Sequence, residues 1–143
     1  MEVKEMRARL TYTKRSAIRF TSILDIQRIW ERTLRRAGIK LLYSQGFHPQ
    51  VKMQQAAPLP LGFCGEEEII DVWFEASSNN LFNKNHLNSF LPFGLEIKEI
   101  ENIDPLAKSL QQFVVSSDYA ITFFDPISQD ELNALIDSIN CAE

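Results

Sequence analysis

Residues 22–38 read SILDIQRIWERTLRRAG, and this stretch carries the clearest local pattern in the chain. Ser22, with Asp25 three residues later, is typical of a helix N-cap, and Gly38 is typical of the position just after a helix. The apolar residues between them recur every three or four positions and therefore share one face: Ile23, Ile26, Trp30, Leu34 and Ala37. The pattern predicts one amphipathic helix over residues 23–37, held to the rest of the protein by its apolar face.

Arginines lie on the opposite side of this predicted helix. Successive residues of a helix are rotated by about 100° around its axis, and this rotation places the arginines within an arc of about 100°. We call this set the arginine face: Arg28, Arg32, Arg35 and Arg36. Asp25 and Glu31 can each pair with part of it, since Glu31 precedes Arg35 by the favourable spacing of four residues. Because four arginines outnumber two acids, we expect a net positive face.

The flanking sequence completes the predicted fold. Residues 6–13 alternate between apolar and polar side chains, with Arg7 and Arg9 on the polar side, which predicts a half-buried strand, and a second short strand over 17–21 makes a hairpin with it. Further strands are predicted over 51–55, 68–75, 95–100 and 119–124, and further helices over 81–91 and 128–139. This order predicts an α+β fold, a ferredoxin-like split βαβ sandwich (hairpin-α-β-β-α-β) with an appended strand and a C-terminal helix. That architecture hosts both enzymes and RNA-binding modules.

The formal net charge of −4 conceals a division between two halves. Residues 1–62 hold twelve Lys and Arg against four Asp and Glu, a net charge of +8. Residues 63–143 hold three Lys against fifteen Asp and Glu, a net charge of −12. If the halves present separate faces, the basic face attracts an anion. The alternative is that the two halves neutralise each other across their contact, and composition leaves both open.

The chain of 143 residues, 45% hydrophobic and 24% charged, has the size and composition of one globular domain. No apolar run approaches the ~18 residues of a membrane span, and residues 1–5 lack the apolar stretch of a secretory signal, so we expect a cytoplasmic protein outside the membrane. Cys64 and Cys141 lie outside any CxxC motif, and two thiolates are too few for an iron–sulfur cluster. We therefore expect two free thiols, no metal and no cofactor.

Candidate catalytic groups are few. Neither His48 nor His86 has a Cys, Ser or acid at the spacing of a catalytic triad or a metal site, and the phosphate-binding patterns GxxxxGK and GxGxxG are absent. His86 lies in a predicted surface helix beside two asparagines, so we expect it to be solvated. The acidic run at residues 66–68 is typical of a solvated strand start. The sequence favours a protein without a catalytic site, and an enzyme that uses His48 as a base is the weakest hypothesis.

A predicted loop follows the helix and is dense in turn-forming residues: Ser44, Gln45, Gly46, Phe47, His48 and Pro49. Gly46 permits backbone angles closed to other residues, and Pro49 favours an extended residue before it. We expect the loop to be ordered beside the N-terminus of the helix. There Ser22 or Asp25 hydrogen-bonds to its amides, and its Gln and His side chains face a ligand. The alternative is that its Gly and Pro only shape a tight connection.

The N-terminal half carries the residues expected to bind a partner. Arginine makes bidentate contacts with phosphate and stacks on bases, so a stripe of arginines suits a sugar–phosphate backbone. Residues on adjoining elements extend the arginine face to six predicted anion-binding residues: Arg19, Arg28, Arg32, Arg35, Arg36 and Lys52. Exposed arginines are also what any soluble helix carries, and the RNP motifs of RRM domains are absent. RNA, or another anionic substrate, is the favoured ligand on charge alone.

Four pieces of the chain resemble the radical SAM-linked protein family. They are RFTSILD at 19–25, LRRAGI at 34–39, YSQGFHP at 43–49 and APLPLG at 57–62. This family is a bacterial domain of unknown function, fused to or encoded beside radical SAM proteins, and the resemblance covers residues 6–124. It implies a non-catalytic accessory domain that works with a radical SAM partner and presents RNA or another substrate to it. It implies no S-adenosylmethionine or cluster on this chain, which lacks the cysteines.

Two departures from the family limit what is carried over. The family has His where this chain has Ile23, so any chemical role of that His is lost here. The family also continues beyond the closing helix with a basic, strand-rich segment, so we expect residues 1–143 to form a single domain that either lacks that segment or is a C-terminally shortened piece of the family domain. The alternative function is a protein-interaction module whose acidic half docks on a radical SAM enzyme.

Overall fold

The computed structural model describes residues 2–141 and has a mixed α+β fold around one four-stranded antiparallel sheet. The strands are β1 (Glu5–Lys14), β2 (Met53–Gln55), β3 (Gly65–Glu75) and β4 (Leu95–Ile103), in the spatial order β2-β3-β1-β4. β1 is central, because Leu10 pairs with Ile70 of β3 on one side and with Ile100 of β4 on the other. Four of the predicted strands, at 6–13, 51–55, 68–75 and 95–100, are confirmed.

In the described part of the chain, four α-helices accompany the sheet: α1 (Ile23–Arg36), α2 (Lys84–Asn88), α3 (Leu110–Phe113) and α4 (Gln129–Asn140). Two 3₁₀ helices span Ser16–Phe20 and Ala76–Leu81. The helices predicted over 23–37 and 128–139 are confirmed. The one predicted over 81–91 is shorter, because Asn83 caps its start by accepting a hydrogen bond from the His86 amide at 2.9 Å. None of the helices within residues 2–141 is long and apolar enough to cross a membrane.

α1 begins and ends where its sequence predicts. The Ser22 hydroxyl accepts a hydrogen bond from the Asp25 amide at 3.1 Å, which satisfies one of the donors that a helix N-terminus leaves free. At the other end Gly38 takes a left-handed backbone with φ +83°. The Gly38 amide and the next one donate to the carbonyls of Arg35 and Leu34, at 3.0 Å each. These two bonds form a Schellman motif, which glycine permits without steric cost.

The hydrophobic core lies between α1 and one face of the sheet. Ile26, Trp30 and Leu34 are at most 3% exposed and belong to one buried cluster with residues of β1 and β3. Trp30 meets Tyr12 of β1 edge to face, with the ring centroids 4.8 Å apart. The predicted packing of α1 is confirmed except at Ile23, which is 44% exposed in the first turn.

The opposite face of the sheet is covered as well, which the alternation of β1 does not predict. Arg7 and Arg9, expected on the polar side of a half-buried strand, are 1% and 7% exposed. Both bind Asp71 of β3, with Arg7 Nη2 2.6 Å from Asp71 Oδ2 and Arg9 Nε 2.9 Å from Asp71 Oδ1. Arg7 also donates to the carbonyls of Ala107 and Lys108, at 2.9 Å each, in the segment that leads into α3. These two arginines therefore form a buried ion cluster and are not part of the basic surface.

Two predicted strands are wrong. Residues 17–21 do not pair with β1, because β3 and β4 occupy both of its edges and Ser16, with φ +57°, turns the chain into a 3₁₀ helix. Residues 119–124 lie in an irregular, exposed stretch between α3 and α4 and pair with no strand of the described chain. Both segments contain residues typical of strands but have no pairing partner, and the formation of a strand depends more on pairing and packing than on intrinsic propensity.

Candidate nucleic-acid interface

The arginine face points away from the sheet, because the apolar stripe of α1 is buried against it. All four of its members are exposed, as their spacing opposite Trp30 predicts: Arg28, Arg32, Arg35 and Arg36. At 1.5 Å per residue they extend over about 12 Å of helix axis. The predicted orientation of these side chains is therefore confirmed.

Acidic residues of α1 itself neutralise part of the arginine face. Arg28 Nη1 lies 3.5 Å from Asp25 Oδ1, and Arg35 Nη2 lies 2.8 Å from Glu31 Oε1. Arg32 forms no ion pair with any residue in the range 2–141. Exposed pairs of this kind contribute ~0–1 kcal/mol, so a phosphate group can replace the carboxylate at little cost.

Among the described residues of the acidic half (63–141), no carboxylate forms an ion pair with the arginine face. Its ion pairs with the basic half lie elsewhere: Arg7–Asp71, Arg9–Asp71, Arg15–Glu66 and Lys40–Glu75. The acidic half contacts the arginine face at Phe90, whose carbonyl accepts a hydrogen bond from Arg36 at 3.1 Å. The two halves therefore neutralise each other in part, away from the arginine face.

Residues 44–49 form an exposed loop at the edge of the sheet. A short hairpin holds its base, where the Ser44 amide donates to the Gln50 carbonyl at 2.7 Å and the Gln50 amide donates to the Ser44 hydroxyl at 3.0 Å. Gly46 takes φ +134°, a backbone conformation that favours glycine. Every residue of the loop is exposed, and Phe47 is completely so. The loop thus presents an aromatic ring and its Gln and His side chains to solvent.

The loop and the arginine face meet through Tyr43 and Arg35. The Arg35 guanidinium donates a hydrogen bond to the Tyr43 hydroxyl and lies 5.7 Å from the centre of its ring. This hydrogen bond, with the nearby Glu31 carboxylate, raises the pKa of Arg35. Sequence reasoning missed the contact, because Tyr43 is equally typical of a core residue and its position depends on the pairing of the hairpin.

The predicted contact between the loop and the N-terminus of α1 is wrong. The Ser22 hydroxyl donates to Asp25 Oδ2 at 2.8 Å, and neither side chain hydrogen-bonds to residues 44–49 in the part of the chain that the structure covers. The loop instead adjoins Arg35, about 15 Å further along the helix axis than Asp25. The direction of the hairpin decides this, and hairpin direction follows from pairing with β3 and not from spacing along the sequence.

Arg19 and Lys52 lie on different sides of the molecule. Arg19 precedes α1 in the first 3₁₀ helix, with its guanidinium 4.6 Å from the centre of the Phe20 ring. Lys52 Nζ lies 2.7 Å from Glu5 Oε1 and 5.9 Å from the centre of the Trp73 ring. Trp73 packs against the buried ion cluster on the sheet face away from α1. The structure therefore does not bring Lys52 to the arginine face, whereas Arg19 shortly precedes the N-terminus of α1 in the chain.

The two histidines have different surroundings. His86, expected to be solvated, is half-buried: its Nε2 lies 2.9 Å from the Ala37 carbonyl oxygen and its ring packs edge-on to Phe90 at 5.1 Å. That prediction is wrong, because α2 packs beside the C-terminus of α1. His48 is exposed in the loop. Both cysteines are free and exposed, and no cluster of three His, Cys, Asp or Glu side chains suited to a metal ion occurs among residues 2–141.

Comparison with known proteins identifies the family of the chain. A family model described as "Uncharacterized protein conserved in bacteria (DUF2344)" matches residues 7–143. No curated protein matches the chain. The matched range includes the arginine face, the exposed loop and the C-terminal helix α4. The chain therefore belongs to the DUF2344 family of uncharacterized proteins conserved in bacteria.

Proposed function

We propose that this domain binds RNA, or another anionic substrate, across the arginine face and the loop at residues 44–49. The contact between Arg35 and Tyr43 carries the proposal, because it sets exposed guanidinium groups beside an exposed aromatic loop. Single-stranded RNA needs both kinds of group, cations for its phosphates and aromatic rings for its unstacked bases. Charge alone suits any polyanion, whereas the complete exposure of Phe47 favours a ligand with bases.

Each part of the surface has a role in this proposal. Arg32, which has no ion pair in the described chain, and Arg28, whose contact with Asp25 is long, bind phosphate groups. Phe47 stacks on a base, and the side chains of Gln45 and His48 offer hydrogen-bond donors and acceptors to base edges. Arg19 extends the positive surface at the N-terminal end of α1, and Lys52 has no part in it.

We infer that the domain is ferredoxin-like. The antiparallel strand order β2-β3-β1-β4, with α1 after β1 and α2 after β3, supports this. RRM domains bind RNA on the open face of a four-stranded sheet. Here α3 and the segment that leads into it cover that face over Arg7 and Arg9, so α1 and the loop supply the binding surface instead.

The further proposal of a non-catalytic accessory domain that serves a radical SAM protein rests on the four sequence pieces at 19–25, 34–39, 43–49 and 57–62. An accessory domain of this kind presents RNA to the partner's catalytic centre. The exposed loop, one of the four pieces, is then the surface that holds the substrate.

The second candidate function is docking on a protein partner, such as a radical SAM enzyme. The exposed face of α4 favours it, since Leu135, Ile136 and Ile139 are 45%, 46% and 67% exposed and no residue of this helix is buried. Its polar side carries only acids among charged residues: Asp130, Glu131 and Asp137. A partner with an apolar groove bordered by basic residues complements this helix.

A filter-binding series with a single-stranded RNA tests the proposed function. Wild-type affinity is expected to fall about a hundredfold or more between low and moderately high salt, because each of four to six phosphate contacts contributes a log–log slope of roughly −0.7 to −0.9. The double variant R28E/R32E is expected to lose at least tenfold in affinity at low salt while it keeps its fold. K98E/K108E changes the net charge equally at exposed positions away from α1, and we expect less than a threefold loss.

Two outcomes would contradict the proposal. One is a folded wild-type protein that binds no RNA at low salt. The other is an equal loss in the two double variants, which would mean that net charge and not the arginine face determines binding.

A further inference from the structure

A narrow cleft lies between the N-terminus of α1, the end of β1 and the connector at residues 56–59. Apolar side chains line it: Ile23, Ile26, Pro58 and Leu59. Polar side chains also line it: Tyr12, Lys14, Gln55 and Glu68. Its interior, about 10 Å³, has room for about one water-sized group. A ligand that uses this cleft therefore inserts one polar group and keeps its remainder at the mouth.

Lys14 is a buried cation with few partners. It is 3% exposed, and its Nζ makes one hydrogen bond within residues 2–141, to the Thr21 carbonyl at the long distance of 3.5 Å. It forms no ion pair with the residues that the structure describes. An ammonium group has three donors, so two have no partner among residues 2–141. Burial lowers the pKa of Lys14, as expected for a cation that lacks full compensation.

The groups around Lys14 form an incomplete polar network. Glu68 also lines the cleft, and burial raises the pKa of its carboxyl because the charged form is poorly solvated there. Tyr12 lines the cleft and packs edge to face on Trp30. Buried polar groups are usually satisfied, so a ligand or a water is expected to complete such a network.

The N-terminus of α1 adds positive potential at the same place. Ile23, its first residue, lines the cleft. The first amides of a helix have no partner within the helix, and the helix dipole attracts negative charge to them. The buried Lys14 ammonium and the helix N-terminus therefore favour the same kind of ligand group.

We propose that this cleft binds the carboxylate or phosphate group of a small ligand, with one anionic oxygen accepting hydrogen bonds from the Lys14 ammonium. The remainder of the ligand lies against the apolar side chains of Ile23 and Leu59 at the mouth. The arginine face lies on the other side of α1, so this site does not rest on the proposed RNA-binding function.

Titration of ¹⁵N-labelled protein with butyrate, and separately with inorganic phosphate, tests the site. We expect saturable shifts of the amide signals of Thr21, Ile23 and Ile26, and the probe that causes them distinguishes a carboxylate site from a phosphate site. Lys14→Met removes the donors and keeps an unbranched apolar side chain, and is expected to weaken binding at least tenfold. Lys98→Met, at an exposed position on β4, is expected to bind as wild type does.

Stability separates a binding role of Lys14 from a structural one. A buried ammonium with one long hydrogen bond destabilises the fold, so Lys14→Met is expected to melt at the wild-type temperature or above it. A lower melting temperature together with no saturable shift in the wild type would overturn the proposal. Shifts confined to the arginine face would also overturn it, as they indicate an adventitious ion only.

A second variant decides the case in which Lys14→Met does not fold. Glu68→Gln removes the carboxylate that competes with an anionic ligand for the cleft. It is expected to tighten binding of the active probe at least threefold. Unchanged or weaker binding by Glu68→Gln would overturn the proposal.

Discussion

Asp71 lies between two arginines on the covered face of the sheet and is 0% exposed. Arg7 donates to it at 2.6 and 3.0 Å, and Arg9 donates to it at 2.9 and 3.0 Å. The hydrogen bond to Asp71 raises the pKa of Arg9, with smaller contributions from the charges of Asp71 and Glu101. One carboxylate therefore compensates two buried cations, and the backbone carbonyls that Arg7 also contacts compensate the remainder.

Asp71→Asn is expected to destabilise the protein by ~3–5 kcal/mol, because it leaves two buried guanidinium groups without a counter-charge. Urea denaturation followed by circular dichroism measures this free energy of unfolding. Asp118→Asn removes the same charge at an exposed position and is expected to change the free energy of unfolding by less than ~0.5 kcal/mol. A loss below about 1 kcal/mol for Asp71→Asn would show that the carboxylate is dispensable to the cluster.

The exposure of a single residue could be predicted only where the residues that determine it lie close by in the sequence. Arg28 and Arg32 are exposed as expected, since their side of α1 follows from the position of Trp30 a few residues away. Arg7 and Arg9 have the same strand alternation as exposed residues, but Arg7 is covered by the segment that leads into α3 and Arg9 by Phe113 of α3. That segment lies about 100 positions further along the chain, and no local pattern indicates where it packs.

Among the elements, α1 could be predicted from local features, whereas the place of the exposed loop in the fold could not. The cap at Ser22, the glycine at Gly38 and the apolar spacing between them all lie within residues 22–38, so they define the helix without reference to the rest of the chain. The ordered loop was also predicted, yet its neighbour was not. Its base pairs with β3, and this long-range pairing places Tyr43 beside Arg35 instead of the N-terminus of α1.

Phe47→Ala is expected to weaken RNA binding roughly tenfold, because stacking of a base on an aromatic ring contributes ~1–3 kcal/mol. The unfolding midpoint should not change, since Phe47 is completely exposed. Fluorescence anisotropy with a labelled single-stranded RNA measures the affinity. Phe124→Ala removes an equally exposed ring far along the sequence and is expected to bind RNA as wild type does. Equal losses in the two variants would remove the loop from the proposed surface.

For the whole molecule, the charge division of the sequence is only partly visible on the folded surface. Arg7 and Arg9 are buried with Asp71, and several ion pairs join the basic and acidic halves. The arginine face nevertheless stays free of acids from residues 63–141. In the C-terminal part of the chain, the described residues after Lys108 carry no basic side chain, and α4 exposes its apolar side. The molecule thus has one basic surface with aromatic groups and one acidic surface with aliphatic groups.

The aliphatic surface of α4 can be tested for whether it is free to bind a partner or packs against its own domain. In Leu135→Lys/Ile139→Lys the unfolding midpoint should stay at the wild-type value, because both side chains are already 45% and 67% exposed and the helix buries no residue. Folded wild-type protein is expected to bind the dye ANS through this patch, and the double variant should lose most of that fluorescence. A matched variant, Asn133→Lys/Asp137→Lys, adds the same two lysines to exposed polar positions of the same helix and should keep the fluorescence. Loss of more than about 1 kcal/mol of stability in the apolar variant would mean that α4 packs on its own domain, and the docking function would then lose its support.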